Sequence, residues 1–232
     1  MPTFGTLNAT VAGSGDKLLV VLLHGFGAPG TDLVPLADAL DLPEARFVFL
    51  EAPTELPPQY MGGRAWWMID IGRFERAMAS GDVAELESAV PEGMQDVSAQ
   101  ARGAFEAIRA AHPEMPMVIG GFSQGSMVAL DVAAQSSLDI AGLVLMSSTL
   151  MAKSRWFPAL EARKGLPCLL THGRQDTVLP FVQAQRLRAE LEAAGQDVQW
   201  LQFEGGHAIP IDVLRAVREF LRARQVPASR EP

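Results

Sequence analysis

Short apolar runs alternate with helix-length amphipathic segments over most of the chain. Each apolar run is continuous, which is typical of strands that are buried on both faces of a parallel sheet. The pattern predicts strands at residues 18–23, 46–50, 115–120, 142–146, 168–171 and 198–203. It predicts helices at residues 32–40, 91–111, 124–135, 181–194 and 211–224. This alternation indicates an α/β fold with a mostly parallel central sheet and helices on both faces.

Three segments depart from the alternation. Residues 3–11 predict an antiparallel strand at the edge of the sheet. Residues 54–89 form a connection longer than compact domains usually keep, and we expect a lid over a site or a wall of its pocket. Residues 225–232 are polar and rich in proline, which predicts a flexible tail. The length of 232 residues fits one domain over 1–232.

Composition and charge exclude several classes of function. The net charge is -8 and Lys and Arg do not cluster, so we expect no nucleic-acid partner. The sequence has neither a basic, apolar leader nor a run near the roughly 18 apolar residues of a membrane span, so we expect a cytoplasmic protein without integral membrane association. The single cysteine, Cys168, lies within a predicted strand, which favours a buried packing role over a nucleophilic one.

The segment from residue 121 to 125 reads Gly-Phe-Ser-Gln-Gly, between a predicted strand and a predicted helix. A backbone that reverses sharply at Ser123 would lift its hydroxyl clear of the sheet, and glycine is expected at 121 and 125 because a Cβ would collide there. The helix that follows directs its free N–H groups and dipole at the same point. We therefore predict that Ser123 is a nucleophile.

A serine nucleophile needs an imidazole to take its proton, and the chain has four histidines. His207 follows two glycines after the last predicted strand, so its side chain can reach back over the carboxyl edge of the sheet. His24 and His172 each precede a glycine at a strand end, where an imidazole commonly hydrogen-bonds the backbone. His112 ends a helix and is interpreted as a solvated cation. His207 is the predicted base.

The acid that orients the base is predicted to be Asp176, which follows one strand and precedes a helix at the same sheet edge. Glu204 and Asp212 are nearer to His207 in sequence, but their positions suit ordinary strand-end and helix-cap acids. The chain order Ser123, Asp176, His207 is the order of the α/β-hydrolases.

Two backbone N–H groups are expected to stabilise the oxyanion: that of Gln124, directly after the nucleophile, and that of Phe26 in the glycine-rich turn at 24–27. No His, Asp or Cys cluster has metal-ligand spacing, so no metal is expected. Apolar side chains near these loops are candidates for the substrate pocket. They are Trp66, Trp67, Met68, Met151, Trp156 and Phe157.

The motifs at residues 24–27, 121–125, 172–180 and 205–207 together resemble the phospholipase/carboxylesterase family of α/β-hydrolases, which includes acyl-protein thioesterases and small bacterial carboxylesterases. The resemblance spans residues 18–221. It implies an α/β-hydrolase fold, the roles given above to each catalytic and oxyanion residue, and no metal or organic cofactor. Members often have a Trp-aromatic-Asp segment in the long connection, whereas here Met68 and Ile69 stand before the aspartate.

These observations predict a serine hydrolase that cleaves carboxylic esters of small or medium apolar acyl groups through an acyl-enzyme. The alternative within enzymes is an acyl-protein thioesterase or lysophospholipase. From another class, a non-catalytic ligand-binding homologue would share the fold. The expected partner is a small-molecule ester or thioester, and the expected state is a monomer or homodimer.

Overall fold

A sheet of eight strands forms the centre of the protein, as seen in a computed structural model that describes residues 1–69, 72 and 87–225. Its strands are β1 (Thr3–Phe4), β2 (Leu7–Ala12), β3 (Leu18–Leu23), β4 (Ala45–Leu50), β7 (Met117–Phe122), β8 (Gly142–Met146), β9 (Pro167–Gly173) and β10 (Asp197–Phe203). They lie in the order β1-β2-β4-β3-β7-β8-β9-β10. The β1–β2 and β2–β4 pairs are antiparallel, and the pairs from β4 to β10 are parallel. A separate pair, β5 (Thr54–Glu55) and β6 (Arg64–Ala65), is antiparallel.

Helices cover both faces of the sheet. Within the described residues they are α1 (Leu36–Leu40), α2 (Met94–Ala111), α3 (Gln124–Gln135), α4 (Lys153–Glu161), α5 (Phe181–Ala193) and α6 (Ile211–Arg222), with a 3₁₀ turn at Pro58–Tyr60. The apolar side chains of α2, α3, α4 and α5 pack on one face, and those of α1 and α6 on the other. Along β3 the odd-numbered side chains enter the first core and the even-numbered ones the second, as the two-residue repeat of a strand requires.

The register of the parallel strands places several loops at one edge. Leu23 pairs with Gly121, Phe122 with Met146, and Met146 with Thr171, so β3, β7, β8 and β9 end side by side. The loops after these strands therefore share the carboxyl edge, where ligands bind in open α/β sheets.

The predicted α/β architecture is confirmed, including the antiparallel N-terminal edge. The helix predicted at 32–40 was too long: the chain passes through turns over residues 31–35 before α1, and Pro35 has no N–H to extend a helix there. Helix α4 was missed because Pro158 lies inside it, and proline normally disfavours a helix interior. The predicted strand at 115–120 begins and ends two residues later.

Candidate active site

Ser123 sits at a sharp reversal between β7 and α3, with φ 53° and ψ -122°. A positive φ is strained for a residue with a side chain, and such strain concentrates at functional sites. The backbone N–H of Ser123 donates to the carbonyl of Met146 at 2.9 Å, which holds the turn against the end of β8. The reversal that the sequence predicted at this serine is confirmed.

The two glycines beside this turn are needed because the backbone of β3 lies against them. A Cβ on Gly121 would come 2.5 Å from the carbonyl oxygen of Leu23, and one on Gly125 would overlap the same oxygen. A Cβ on Gly25 would lie 3.3 Å from Cβ of Ser123. The glycine-rich turn after β3 is thus in contact with the serine, as expected.

Asp176 lies in the loop between β9 and α5 with its carboxylate enclosed. Its Oδ1 accepts hydrogen bonds from the N–H groups of Val178, at 2.9 Å, and Leu179, at 2.8 Å. Its Oδ2 lies 2.7 Å from Nδ1 of His207. Since an ionised carboxylate can only accept, Nδ1 carries the proton and Nε2 of His207 is left as a base.

The loop that carries His207 is fastened to the loop that carries Asp176. The N–H of Arg174 donates to the carbonyl of Phe203, and that of Gln175 donates to the carbonyl of Gly205, both at 2.9 Å. Gly173 allows this approach, because a Cβ there would lie 2.5 Å from the Gly205 oxygen.

The imidazole of His207 packs on the ring of Phe122, with 4.7 Å between ring centroids. Phe122 directly precedes Ser123, so the structure brings Asp176 and His207 together next to the strained turn. The side chain of His207 stays partly exposed, at 16%, whereas that of Asp176 is fully covered.

The electrostatic surroundings keep Asp176 ionised. Burial opposes the charge, but hydrogen bonds from His172, His207 and the Leu179 N–H outweigh burial and hold the pKa of Asp176 well below its ordinary value. A carboxylate that is charged at neutral pH orients an imidazole and stabilises the imidazolium that forms when the ring takes a proton.

The predicted oxyanion donors lie on the two segments that meet at Ser123. Phe26 is in the turn after β3, and Gln124 is the first residue of α3. Among the described residues, neither backbone N–H is paired with a backbone acceptor. Their contact with a substrate oxygen stays a prediction.

Comparison with protein families gives one match over most of the chain. The model described as Phospholipase/Carboxylesterase matches residues 9–225. The chain belongs to the phospholipase/carboxylesterase family. It is thus a hydrolase of an esterase and thioesterase family with the α/β-hydrolase fold, as the sequence motifs indicated.

Two relatives and one solved structure illustrate what the chain is similar to. An acyl-protein thioesterase 1 of Yarrowia lipolytica is 28% identical over 80% of this chain and 82% of its own length. The acyl-protein thioesterase 1 of Neurospora crassa is 30% identical over 48% of this chain, and the match spans about half (47%) of that relative. The crystal structure of esterase PE8 superposes with a TM-score of 0.78 at 27% identity, over 94% of this chain and 99% of that one.

His172 lies beside the carboxylate of Asp176, a contact that the sequence analysis did not predict. Its Nε2 donates to the carbonyl of Leu179 at 2.8 Å, which confirms the predicted backbone contact. The same nitrogen also lies 3.3 Å from Oδ2 of Asp176, so two imidazoles flank one carboxylate oxygen. The available signal was the spacing of four residues between His172 and Asp176, whereas the sequence analysis interpreted His172 only through its position before a glycine.

The remaining histidines lie outside this cluster. His24 is buried, its Nδ1 donates to the carbonyl of Gly25 at 2.8 Å, and its Nε2 accepts from the N–H of Ala52 at 3.1 Å, which confirms its structural role. His112 was interpreted as a solvated cation, and this was wrong. Partial burial and then the charge of Arg46, 3.5 Å from Nε2, lower the pKa of His112 and favour its neutral form.

The two rival acids are engaged elsewhere. Glu204 is exposed and pairs with Arg174, at 3.2 Å, and with Gln175, at 2.6 Å. Asp212 lies in the first turn of α6 and pairs with a neighbouring arginine on the same helix. Asp176 is thus the predicted acid that the structure places against His207.

The predicted pocket side chains lie in different surroundings. Trp66 and Trp156 are fully buried, and their indole N–H groups donate to the carbonyl of His24 and to Asp131, both at 2.9 Å. Trp67, Met151 and Phe157 are nearly covered, whereas Met68 is more than half exposed. Their contact with substrate stays a prediction, and residues 70, 71 and 73–86 of the long connection lie outside the described residues.

Three further features bear on the function of the described part of the chain: the single thiol, metal-binding clusters and membrane-spanning helices. Cys168 is enclosed in β9, and burial raises the pKa of its thiol to about 12, which confirms a packing role. No group of three or more His, Cys, Asp or Glu side chains in residues 1–69, 72 and 87–225 is arranged to hold a metal ion. No helix within those residues is long and apolar enough to cross a membrane.

Proposed function

We propose that the protein is a carboxylesterase in which Ser123, Asp176 and His207 form a catalytic triad. The observation that carries this proposal is the 2.7 Å hydrogen bond between Asp176 and His207, on loops packed beside a strained serine. Membership of the phospholipase/carboxylesterase family supports the proposal, because the family is named for the hydrolysis of ester bonds. The N–H groups of Phe26 and Gln124 are proposed as the oxyanion hole.

The reaction runs in two transfers of an acyl group. The Oγ of Ser123 bonds to the substrate carbonyl carbon while Nε2 of His207 takes the hydroxyl proton. The carbonyl oxygen becomes an oxyanion between the two N–H donors. The carbon–oxygen bond to the alcohol then breaks, and the alcohol leaves with the proton from His207. Water repeats the same steps on the acyl-enzyme and releases the carboxylic acid.

The substrates we propose are small-molecule esters with small or medium apolar acyl groups. The candidate wall residues Trp66, Trp67 and Met151 are apolar, which suits an acyl chain better than a charged group. A second candidate activity is thioester hydrolysis, which the names of the relatives from Yarrowia and Neurospora favour. The same triad serves both substrates, since the leaving group is an alcohol in one and a thiol in the other.

The decisive experiment is labelling with a fluorophosphonate probe alongside hydrolysis assays. We expect the wild-type protein to be labelled and Ser123→Ala to be unlabelled, with kcat lowered about a million-fold. Ser136→Ala is the matched control, because Ser136 lies at the opposite end of the same helix and bonds the Val132 carbonyl. A wild-type protein that neither reacts with the probe nor hydrolyses esters would instead be a non-catalytic binder.

A chain-length series separates the two candidate activities. The rates of p-nitrophenyl acetate, butyrate and octanoate are compared with that of an octanoyl thioester. The carboxylesterase proposal expects the highest kcat/KM on one of the three oxygen esters. A kcat/KM that is at least tenfold higher on the thioester than on every oxygen ester would favour the thioesterase.

A further inference from the structure

The first part of the long connection is tied to the turn that carries one oxyanion donor. Arg64 of strand β6 makes two backbone hydrogen bonds to this turn. Its carbonyl accepts from the N–H of Gly27 at 2.9 Å, and its N–H donates to the carbonyl of Ala28 at 3.0 Å. The ring of Phe26 meets that of Tyr60 edge-on, with centroids 5.9 Å apart. The turn at 24–28 is therefore held from outside by residues 60–64.

Trp66 joins the same connection to both oxyanion segments. Its indole Nε1 donates to the carbonyl of His24 at 2.9 Å, on the side of the glycine-rich turn. Its backbone N–H donates to Oε1 of Gln124 at 3.0 Å, on the side of the helix that follows the serine. One residue with 1% of its surface exposed thus bridges the two segments.

The side chain of Gln124 completes this bridge. While its Oε1 accepts from Trp66, its Nε2 donates to the carbonyl of Trp67 at 2.8 Å. Both ends of a fully buried amide are therefore engaged on consecutive backbone groups of the connection. The backbone N–H of Gln124 is one of the two proposed oxyanion donors. Its position therefore depends on the two hydrogen bonds that hold the Gln124 side chain.

We infer that Gln124 and Trp66 are positioning residues, which act through the backbone to set the separation of the Phe26 and Gln124 N–H groups. This inference rests on the proposed function. The two donors belong to segments that are distant in sequence, and both must converge on one oxygen within hydrogen-bond distance. Trp66 is anchored to each segment, so its two hydrogen bonds link the backbones that carry the two donors.

The size of the effect follows from what the donors contribute. Loss of one oxyanion donor lowers kcat by about 10²- to 10³-fold, and a misplacement of about 1 Å costs up to about 10²-fold. A displaced donor weakens the transition state more than the ground state, since the negative charge develops only during the reaction. We therefore expect kcat to fall and KM to stay nearly constant.

The test uses Gln124→Met, which keeps the side-chain length and the backbone N–H but removes both amide contacts. The matched control is Gln196→Met, because Gln196 is also buried and its Nε2 bonds two carbonyls, of Leu160 and Ala194. Gln196 directly precedes β10, at the sheet edge opposite to Ser123. Trp66→Phe is a second variant, which removes the indole N–H together with part of a buried ring and keeps the backbone N–H that donates to Gln124.

For each variant we would measure kcat, KM, the melting temperature and the inhibition constant of a trifluoromethyl ketone. The serine adds to the ketone carbon of this inhibitor, and the former carbonyl oxygen becomes an oxyanion. For Gln124→Met we expect kcat to fall about 10- to 100-fold with KM within about threefold. The inhibition constant should rise in parallel with the loss of kcat/KM. Trp66→Phe should show the same pattern at about 3- to 10-fold, and it decides the matter if Gln124→Met does not fold.

The possible outcomes separate this inference from the proposed function. If the wild-type protein is active and Gln124→Met behaves like Gln196→Met at equal loss of stability, the positioning role is wrong and the triad stands. An unchanged inhibition constant in a variant with reduced kcat would also overturn it. If the wild-type protein does not react with a fluorophosphonate, the proposed function fails first and this inference fails with it.

Discussion

The Nδ1 nitrogen of His207 lies 2.7 Å from Oδ2 of Asp176, across a separation of 31 residues in the chain. If this contact fixes the tautomer of the imidazole, replacing the carboxylate by an amide should disable the base. For Asp176→Asn we expect kcat to fall about 10⁴-fold, because the amide can donate to Nδ1 and move the proton to Nε2. Steady-state hydrolysis of p-nitrophenyl butyrate measures the loss.

Glu204→Gln is the matched control for this substitution. Glu204 lies on the loop of His207 but pairs with Arg174 and Gln175, so its variant should keep kcat within about twofold. The reverse result, with Glu204→Gln inactive and Asp176→Asn active, would show that Glu204 is the acid of the triad.

The positions of the candidate catalytic residues could be predicted from sequence because each follows a strand of the parallel sheet. Parallel strands end at a common edge, so Ser123, Asp176 and His207 had to lie near one another once the strands were identified. The crowding at Gly121 and Gly125 could also be anticipated, since a strand that turns directly into a helix leaves no room for a Cβ.

The contacts that no prediction reached depend on side-chain direction in three dimensions. Nothing local indicates that the amide of Gln124 reaches the backbone of Trp66 and Trp67, because the partners are 57–58 residues apart. The approach of His172 to Asp176 depends on how the loop after β9 folds back. Local sequence signals also conflict at α4, where Pro158 argues against a helix that the packing of Trp156 nevertheless stabilises.

The charge of Asp176 should make the protein sensitive to acid. The pKa of this carboxyl is lower in the folded than in the unfolded chain, so its stabilising contribution is fully present above the unfolded value of about 4. The contribution is lost as the pH falls below that value toward the folded pKa. We expect the wild-type protein to exceed Asp176→Asn in free energy of unfolding at pH 5, with the difference shrinking as the pH is lowered.

Urea unfolding at steps from pH 5 to the lowest pH at which both proteins fold would measure this difference. Glu204→Gln again serves as the control. Because Glu204 is exposed, its replacement should leave the dependence of the free energy of unfolding on acidic pH nearly unchanged. A difference between wild type and Asp176→Asn that stays constant with pH would show that this carboxyl is not the acid-sensitive group.

Gly125 should tolerate no side chain. A Cβ there overlaps the carbonyl oxygen of Leu23, so Gly125→Ala must displace α3 from β3. We expect the free energy of unfolding to fall by about 1–3 kcal/mol, with activity lost through the shift of Ser123. Thermal or urea denaturation with an ester assay measures both effects.

Gly103→Ala provides the opposite expectation from the same chemical change. Gly103 lies within α2, and a Cβ built on it meets no atom of the described residues within 4 Å. Alanine there should stabilise the helix by about 0.5–1 kcal/mol and leave activity unchanged. Equal effects of the two substitutions would mean that crowding at the serine turn is relieved at little cost.

A partly buried ion pair links α3, the helix that starts at the serine turn, to α4. Both carboxylate oxygens of Asp131 accept from the guanidinium of Arg155, at 2.7 and 3.0 Å, and Oδ1 also accepts from the indole of Trp156. The carboxylate is fully covered whereas the Arg155 side chain is 23% exposed, so Asp131→Ala leaves the buried indole N–H of Trp156 unpaired and the guanidinium only partly solvated. We expect it to lower the free energy of unfolding by about 1–3 kcal/mol. Asp212→Ala breaks a pair with Arg215 in which both side chains are more than 60% exposed, and it should cost less than about 1 kcal/mol. Urea denaturation of both variants makes the comparison, and costs of similar size would show that the Asp131 pair contributes no more than a surface contact.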